Sequence, residues 1–218
     1  MIGPFFDPGW VADNLEGLLN KTWEHLVLTM LAVVIGFLVS FPLGVYAYRH
    51  RRSYGAIASV SGVLYTIPSL ALFALLVPFT GLSPTTAEIG LVSYTLLILI
   101  RNVVAGLDGV PDDAKEAATG MGFTARQLLW RVELPLAVPV ILAGVRIATV
   151  TTVGLVTVTA VIGQGGLGYY ILQGLQRLYT TSVIAGAVLS VVLAIAADRL
   201  LLVTERRLTP WTRRRIPT

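Results

Sequence analysis

The chain has 218 residues, of which 55% are apolar and only 13% charged, with a formal net charge of +4 and no cysteine. Soluble domains carry about 25% charged residues, so the solvent for most of this chain is lipid. At roughly 20 residues per helical span there is room for about five or six crossings, which excludes a separate soluble catalytic domain. The absence of cysteine excludes disulfides, thiolate metal sites and cysteine nucleophiles. The basic residues cluster beside apolar runs, a pattern that points to lipid headgroups and not to nucleic acid.

Residues 1–21 carry Asp7, Asp13 and Glu16 and lack a basic stretch followed by an apolar one, so no cleaved signal is expected and the first span does the targeting. Residues 1–25 are expected as a short extracytoplasmic segment. The uncharged run 26–48 has 23 residues, about 34 Å of helix and enough for a hydrocarbon core of ~30 Å. Arg49, His50, Arg51 and Arg52 stop it, and His25 and His50, which flank it, are expected at the interfaces.

The next run, 53–87, has 35 residues, too long for one span and too short for two with a turn. Pro68, Pro78, Gly81 and Pro84 supply breaks, so one span is expected over 57–79, kinked at Pro68, with a short loop after it. A third span is expected over 89–107, with Arg101 near its end, then a charged segment, 108–135. A fourth, over 137–162, holds Arg146 and runs into Gly163-Gln164-Gly165-Gly166-Leu167-Gly168. The fifth, over 180–203, is followed by Glu205, Arg206, Arg207, Arg213, Arg214 and Arg215.

With five spans, one side of the membrane receives eleven bases and the other only Lys21 and Arg177. The positive-inside rule therefore predicts an N-terminus outside, a C-terminus in the cytoplasm and a cytoplasmic 108–135 loop. Five spans cannot be divided into two equal inverted halves, which argues against a complete secondary carrier in one chain. Small residues four apart, Gly36, Ser40 and Gly44 in the first span and Gly186, Ser190 and Ala194 in the fifth, allow close helix contact, either within one subunit or across a dimer.

The 108–135 loop reads as two short helices around a glycine turn. Pro111 suits a first helical position, and Asp112, Asp113 and Glu116 favour the positive end of a helix dipole. Ala114, Ala117 and Ala118 form helix with a shallow surface, and Gly120-Met121-Gly122 ends it where a positive φ is cheap. Thr124 with Gln127 makes a capping box for a second helix containing Leu128, Leu129 and Trp130, and Pro135 and Pro139 mark the return to the membrane. Apolar groups on a water-facing loop are either packed on neighbouring helix ends or offered to a partner.

The spelling Glu116-Ala117-Ala118, three residues, Gly122, nine residues, Val132, one residue, Leu134-Pro135 resembles the cytoplasmic signature of membrane subunits of bacterial ATP-binding-cassette importers, with valine where isoleucine is usual. Tyr65-Thr66-Ile67-Pro68-Ser69-Leu70-Ala71-Leu72, Arg101-Asn102, Glu133-Leu134-Pro135-Leu136-Ala137-Val138-Pro139 and residues 163–168 are similar to the permeases for glycine betaine, carnitine and choline. The resemblance covers roughly residues 26–208.

It implies an all-α polytopic protein of the type I importer permease fold, residues 1–218 forming one transmembrane domain in a bacterial cytoplasmic (inner) membrane. It implies a second permease subunit, ATPase subunits on the cytoplasmic side and an extracytoplasmic substrate-binding protein. Glu116, Ala117, Ala118, Gly122, Leu134 and Pro135 are the expected ATPase-coupling residues, with Glu116 as an acidic contact and Gly122 as the turn. The chain lacks a Gly-x-x-x-x-Gly-Lys-Ser/Thr phosphate loop, so no cofactor is expected on it, and ATP and Mg are expected on the partner ATPase. No span carries the paired acids, histidine cluster or nucleophile and base set that an enzyme needs.

Tyr65, Pro68, Ser69, Tyr94 and Arg146 are candidates for the translocation pathway. Tyr65, Tyr94, Tyr169 and Tyr170 offer π-faces of the kind that hold quaternary ammonium groups, although tyrosines at span ends also form interfacial belts. Arg146 lies 11 residues after Pro135; if that helix begins in the cytoplasm, Arg146 is one or two turns deep and snorkels or pairs with Glu133 or Asp108. Arg101 is expected to anchor its span's cytoplasmic end. Gly163, Gly165 and Gly168 match the dinucleotide pattern Gly-x-Gly-x-x-Gly without its strand context, and together with Gly166 they are expected to form a tight periplasmic turn. The function expected is ATP-driven import of a quaternary ammonium osmoprotectant. The alternatives are a type I importer for methionine or another small amino compound, or a nucleotide-independent facilitator.

Overall fold

The computed structural model describes residues 5–211, and every regular element among them is helical. Helix α1, Pro8–Asp13, starts where the Asp7 side chain accepts hydrogen bonds from the Gly9 and Trp10 amides. Helix α2, Leu15–Arg49, has 35 residues and begins eleven residues before the expected span, so most of the stretch ahead of that span is already helical. Its N-terminal part is helical because it has something to pack on: Leu18 is buried with Tyr170 and Ala185. His25, expected at an interface, is instead fully buried, its Nε2 3.0 Å from the Val153 carbonyl.

The segment expected as one kinked span over 57–79 is two helices, α3, Arg51–Thr66, and α4, Ser69–Thr80, which turn 95° between them. Pro68 has no N–H and crowds the residue before it out of the helical region; Ile67 has φ −63° and ψ 127°. A proline inside one continuous span would kink it, whereas here two residues leave the helix and the chain changes direction.

Helix α5, Pro84–Asp108, is capped by the Ser83 side chain and is the most enclosed of the long helices. Helix α2 runs along it at close range. A Cβ at Gly36 would collide with the Thr95 side chain, and one at Gly44 with Val103. The small-residue stripe of the first span is therefore a seam inside this chain, and Gly186 plays the same part against the Leu167 carbonyl and Ile171. One core cluster gathers Leu28, Ala32, Phe73, Ala87, Leu91, Val156 and Ile162.

Helices α6, Asp112–Gly120, and α7, Ala125–Leu128, follow, with Pro111 as the cap of α6 and not its first residue. A π-helical turn, Leu129–Glu133, leads directly into α8, Leu134–Val158. Pro135 and Pro139 therefore lie inside one helical run, and the extra residue of the π turn relieves the pairing that Pro135 cannot make. A 3-10 turn, Thr159–Ile162, the glycine turn, α9, Gly168–Gln176, and α10, Thr180–Leu208, complete the chain. Four helical runs are long and apolar enough to cross a membrane, and the α3–α4 pair makes five if counted as one broken span. Arg213, Arg214 and Arg215 lie outside the described residues.

Candidate functional site

The loop between α5 and α8 is a rigid elbow. Two residues past the end of helix α6, Gly122 takes a φ of +83° that favours glycine, and the Phe123 amide closes the turn on the Ala118 carbonyl at 3.1 Å. Helix α7 then starts with the complete capping box, Thr124 and Gln127 each bonding the other's backbone. The apolar groups divide. Leu129 and Leu134 are buried with Val103, Leu107, Val110, Ala137 and Ile141, while Trp130 and Met121 remain exposed at 55% and 70%. Of the expected coupling residues, Glu116, Ala117 and Gly122 are exposed, Pro135 is half-buried, and Ala118 and Leu134 form the packed underside.

What anchors the elbow was not visible from the motif. The corner between α2 and α3 grips it at three points. The Tyr48 hydroxyl donates to Glu133 Oε1 at 2.8 Å, Arg49 donates to the Ala125 carbonyl at 2.9 Å, and Arg51 pairs with Asp108 through both guanidinium nitrogens. Glu133 is 6% exposed, so the tyrosine satisfies a carboxylate that water barely reaches. In the sequence these arginines read as a stop signal for a span; a basic run beside a long acidic loop was the signal for their second role.

Four of the five pathway candidates converge on the broken span. The Tyr94 hydroxyl donates to the Ile67 carbonyl, which the break leaves without a helical partner, and the Tyr65 and Tyr94 rings meet edge to face at 5.9 Å. Pro68 and Ser69 form the break itself.

Arg146 lies elsewhere. It pairs neither with Glu133 nor with Asp108; its guanidinium donates to Asp198 Oδ1 at 2.9 Å and to Glu205 Oε2 at 3.1 Å, both on α10. Glu133 and Asp108 are already taken by Tyr48 and Arg51, and the seven-residue spacing of Asp198 and Glu205 puts both on one face of α10. Beside this triad lies an open cleft of about 500 Å³ lined by Ala143, Ile147, Val150, Thr151, Arg146 and Asp198.

At the opposite end of α8, Gly163, Gly165 and Gly166 all take positive φ, at 78°, 109° and 48°. The turn is folded onto backbone: a Cβ at Gly165 would meet Ala160, at Gly166 the His25 main chain, and at Gly168 the Thr157 main chain. Glu24 of α2 accepts the Gly166 amide at 3.1 Å. No cluster of three or more His, Asp or Glu side chains suited to a metal ion occurs among the described residues.

A multi-pass helical bundle with one broken span and one capped, partly apolar elbow is the architecture of a membrane permease subunit. Residues 32–210 match the family described as binding-protein-dependent transport system inner membrane component, and the chain belongs to it. It is 41% identical over 193 residues, 88% of this chain and 89% of the other, to the choline transport system permease protein OpuBB of Bacillus subtilis. It is 38% identical over 206 residues, 92% and 96% of the two chains, to the osmoprotectant import permease protein OsmW of Salmonella typhimurium. Among solved structures, the inward-facing MetNI methionine ABC transporter superposes with a TM-score of 0.80 at 26% identity, over 88% of this chain and 96% of that one. An amino acid ABC transporter shares the fold, with a TM-score of 0.71 at 23% identity, over 92% and 98%. Membership implies ATPase subunits, a substrate-binding protein and a second permease chain as partners.

Proposed function

We propose that this chain is the translocation subunit of an ATP-driven importer of quaternary ammonium osmoprotectants such as glycine betaine, carnitine or choline. The observation that carries the proposal is the elbow, a surface of Glu116, Ala117, Gly120, Met121, Gly122 and Trp130 on a segment pinned from beneath and anchored by three side chains of one corner. An exposed lever fixed that firmly to α5 and α8 passes a push on its surface to both helices as a rigid body. Relatives named for choline and for osmoprotectants supply the substrate class.

The chain supplies the path and the lever and catalyses no reaction; ATP and Mg belong to the ATPase subunits, which bear on the elbow from the cytoplasm. The N-terminus lies outside and the C-terminus inside a bacterial cytoplasmic membrane, with the glycine turn of Gly163, Gly165, Gly166 and Gly168 on the outer side. Alternating access is then a two-state equilibrium that ATP biases from one side and the loaded binding protein from the other. Tyr65, Pro68, Ser69 and Tyr94 form the flexible joint of the path, because a span interrupted by a 95° turn has backbone carbonyls free of helical partners there.

The test is uptake by proteoliposomes holding the complete complex, with choline, glycine betaine, carnitine and methionine offered in turn. Quaternary amines enter only while ATP is hydrolysed, and Gly122→Trp reaches the membrane but loses uptake, since its side chain starts from a strained backbone on the contact surface. Uptake of methionine alone moves the chain to the other importer branch, and uptake without ATP makes it a facilitator.

A further inference from the structure

Lys21, on the N-terminal part of α2, stands between Glu24, one turn on, and Tyr169 at the start of α9. The Lys21 ammonium lies over the Tyr169 ring, 5.3 Å from its centroid, and 2.6 Å from Glu24 Oε2. The other two groups are held in place by different partners. Glu24 accepts the Gly166 amide through its second oxygen, and the Tyr169 hydroxyl accepts from Gln173 Nε2 at 2.8 Å. The buried Tyr170 ring stands nearly perpendicular to that of Tyr169 at 5.3 Å and backs it from within the bundle. Tyr169 is 44% exposed, so the site is open from outside the bundle.

We propose that the Tyr169 face and the Glu24 carboxylate form an outer binding subsite for the quaternary ammonium group of the substrate, with Lys21 as its resident occupant. The inference rests on the proposed function for its substrate class and for which side faces outward. A π-face beside a carboxylate is the chemistry that holds methylated ammonium. The native ammonium already seated there shows that the pair accepts a positive charge. Exchange puts one ammonium group in the place of another, so the Glu24 carboxylate keeps a positive group beside it. It also runs in the favourable direction: a lysine ammonium is compact and strongly hydrated and returns to water readily on its flexible stem, whereas an N-methylated group presents apolar surface that gains from leaving water. The place fits such a step, since Glu24 and Tyr169 bracket the glycine turn that closes the outer end of α8.

Two substitutions separate this from a structural contact, because they shift transport in opposite directions. Choline uptake is measured in proteoliposomes holding the complete complex, at a fixed, limiting concentration of loaded binding protein. Tyr169→Leu removes the π-face and lowers the rate about two- to fivefold, the effect of one exposed cation–π contact, and Tyr169→Phe recovers most of that loss. Lys21→Gln removes the competing occupant and raises the rate by a similar factor. If the contact only braces α2 against α9, Lys21→Gln and Tyr169→Leu both lower the rate; that outcome, or no change in either, overturns the proposal. Failure of the wild-type complex to take up any quaternary amine overturns the proposed function, and this subsite with it.

Discussion

The two ends of α8 are held by opposite means. At the elbow end, side chains do the holding: Tyr48 on Glu133, Arg49 on a carbonyl, Arg51 on Asp108. At the glycine end main chain lies against main chain, Gly165 and Gly168 on the backbone of Ala160 and Thr157, with the Glu24 carboxylate on the Gly166 amide as an added side-chain bond. The exposed pair of Arg51 and Asp108 can lengthen, exchange with water and re-form, whereas the Tyr48 bond to buried Glu133 is shielded from water. Backbone-to-backbone contact has no such slack, so the glycine turn behaves as a fixed stop. The elbow and the glycine turn, at two ends of one helix, are thus built from different interactions, and each should fail in its own way.

The largest expected effect is at the stop. Gly165→Val adds a branched side chain at a φ of 109° and against main chain that cannot move aside. Together the strained backbone and the overpacking should cost about 3 kcal/mol or more, seen as a large drop in the thermal midpoint of the detergent-purified protein or as failure to accumulate. A near-wild-type midpoint would show that the turn has slack after all. Tyr48→Phe comes next. It leaves a carboxylate of 6% exposure without its donor, a loss of about 1–3 kcal/mol, and ATP-driven uptake should fall with it as the elbow loosens. Smallest is Arg51→Ala, which breaks an ion pair open to solvent. Such pairs contribute roughly 0–1 kcal/mol and are screened by salt, so its stability should match wild type within that range at high ionic strength. If Arg51→Ala proved as damaging as Tyr48→Phe, the elbow would hang on electrostatics more than on its buried bond.

Much of the elbow was legible because its signals are local. A capping pair three residues apart, an acidic first turn and a glycine at the helix end act within a few residues of chain, and Thr124, Gln127 and Gly122 behave as their chemistry dictates. The break at Pro68 was legible in place but not in degree. Proline forbids the helix locally, while the 95° turn depends on what the two halves pack against, Phe73 on Gly90 for one and Tyr94 on the Ile67 carbonyl for the joint. Arg146 was assigned partners near it in the expected topology, and the real ones came from α10, more than fifty residues away in sequence.

Composition and the lengths of the apolar runs by themselves determined that this chain is a helical membrane protein and roughly where its spans lie, since a helix satisfies its backbone groups within the span, while the expectation of a coupling role for the 108–135 loop came from the resemblance of its spelling. Only the tertiary structure decided that the small-residue stripes are internal seams, that α2 continues outward to seat Glu24 and His25 on the glycine turn, and that basic residues read as a stop signal hold the elbow. The reason is physical: a helix's existence follows from its own residues, whereas a long polar side chain chooses among partners that only packing brings within 3 Å.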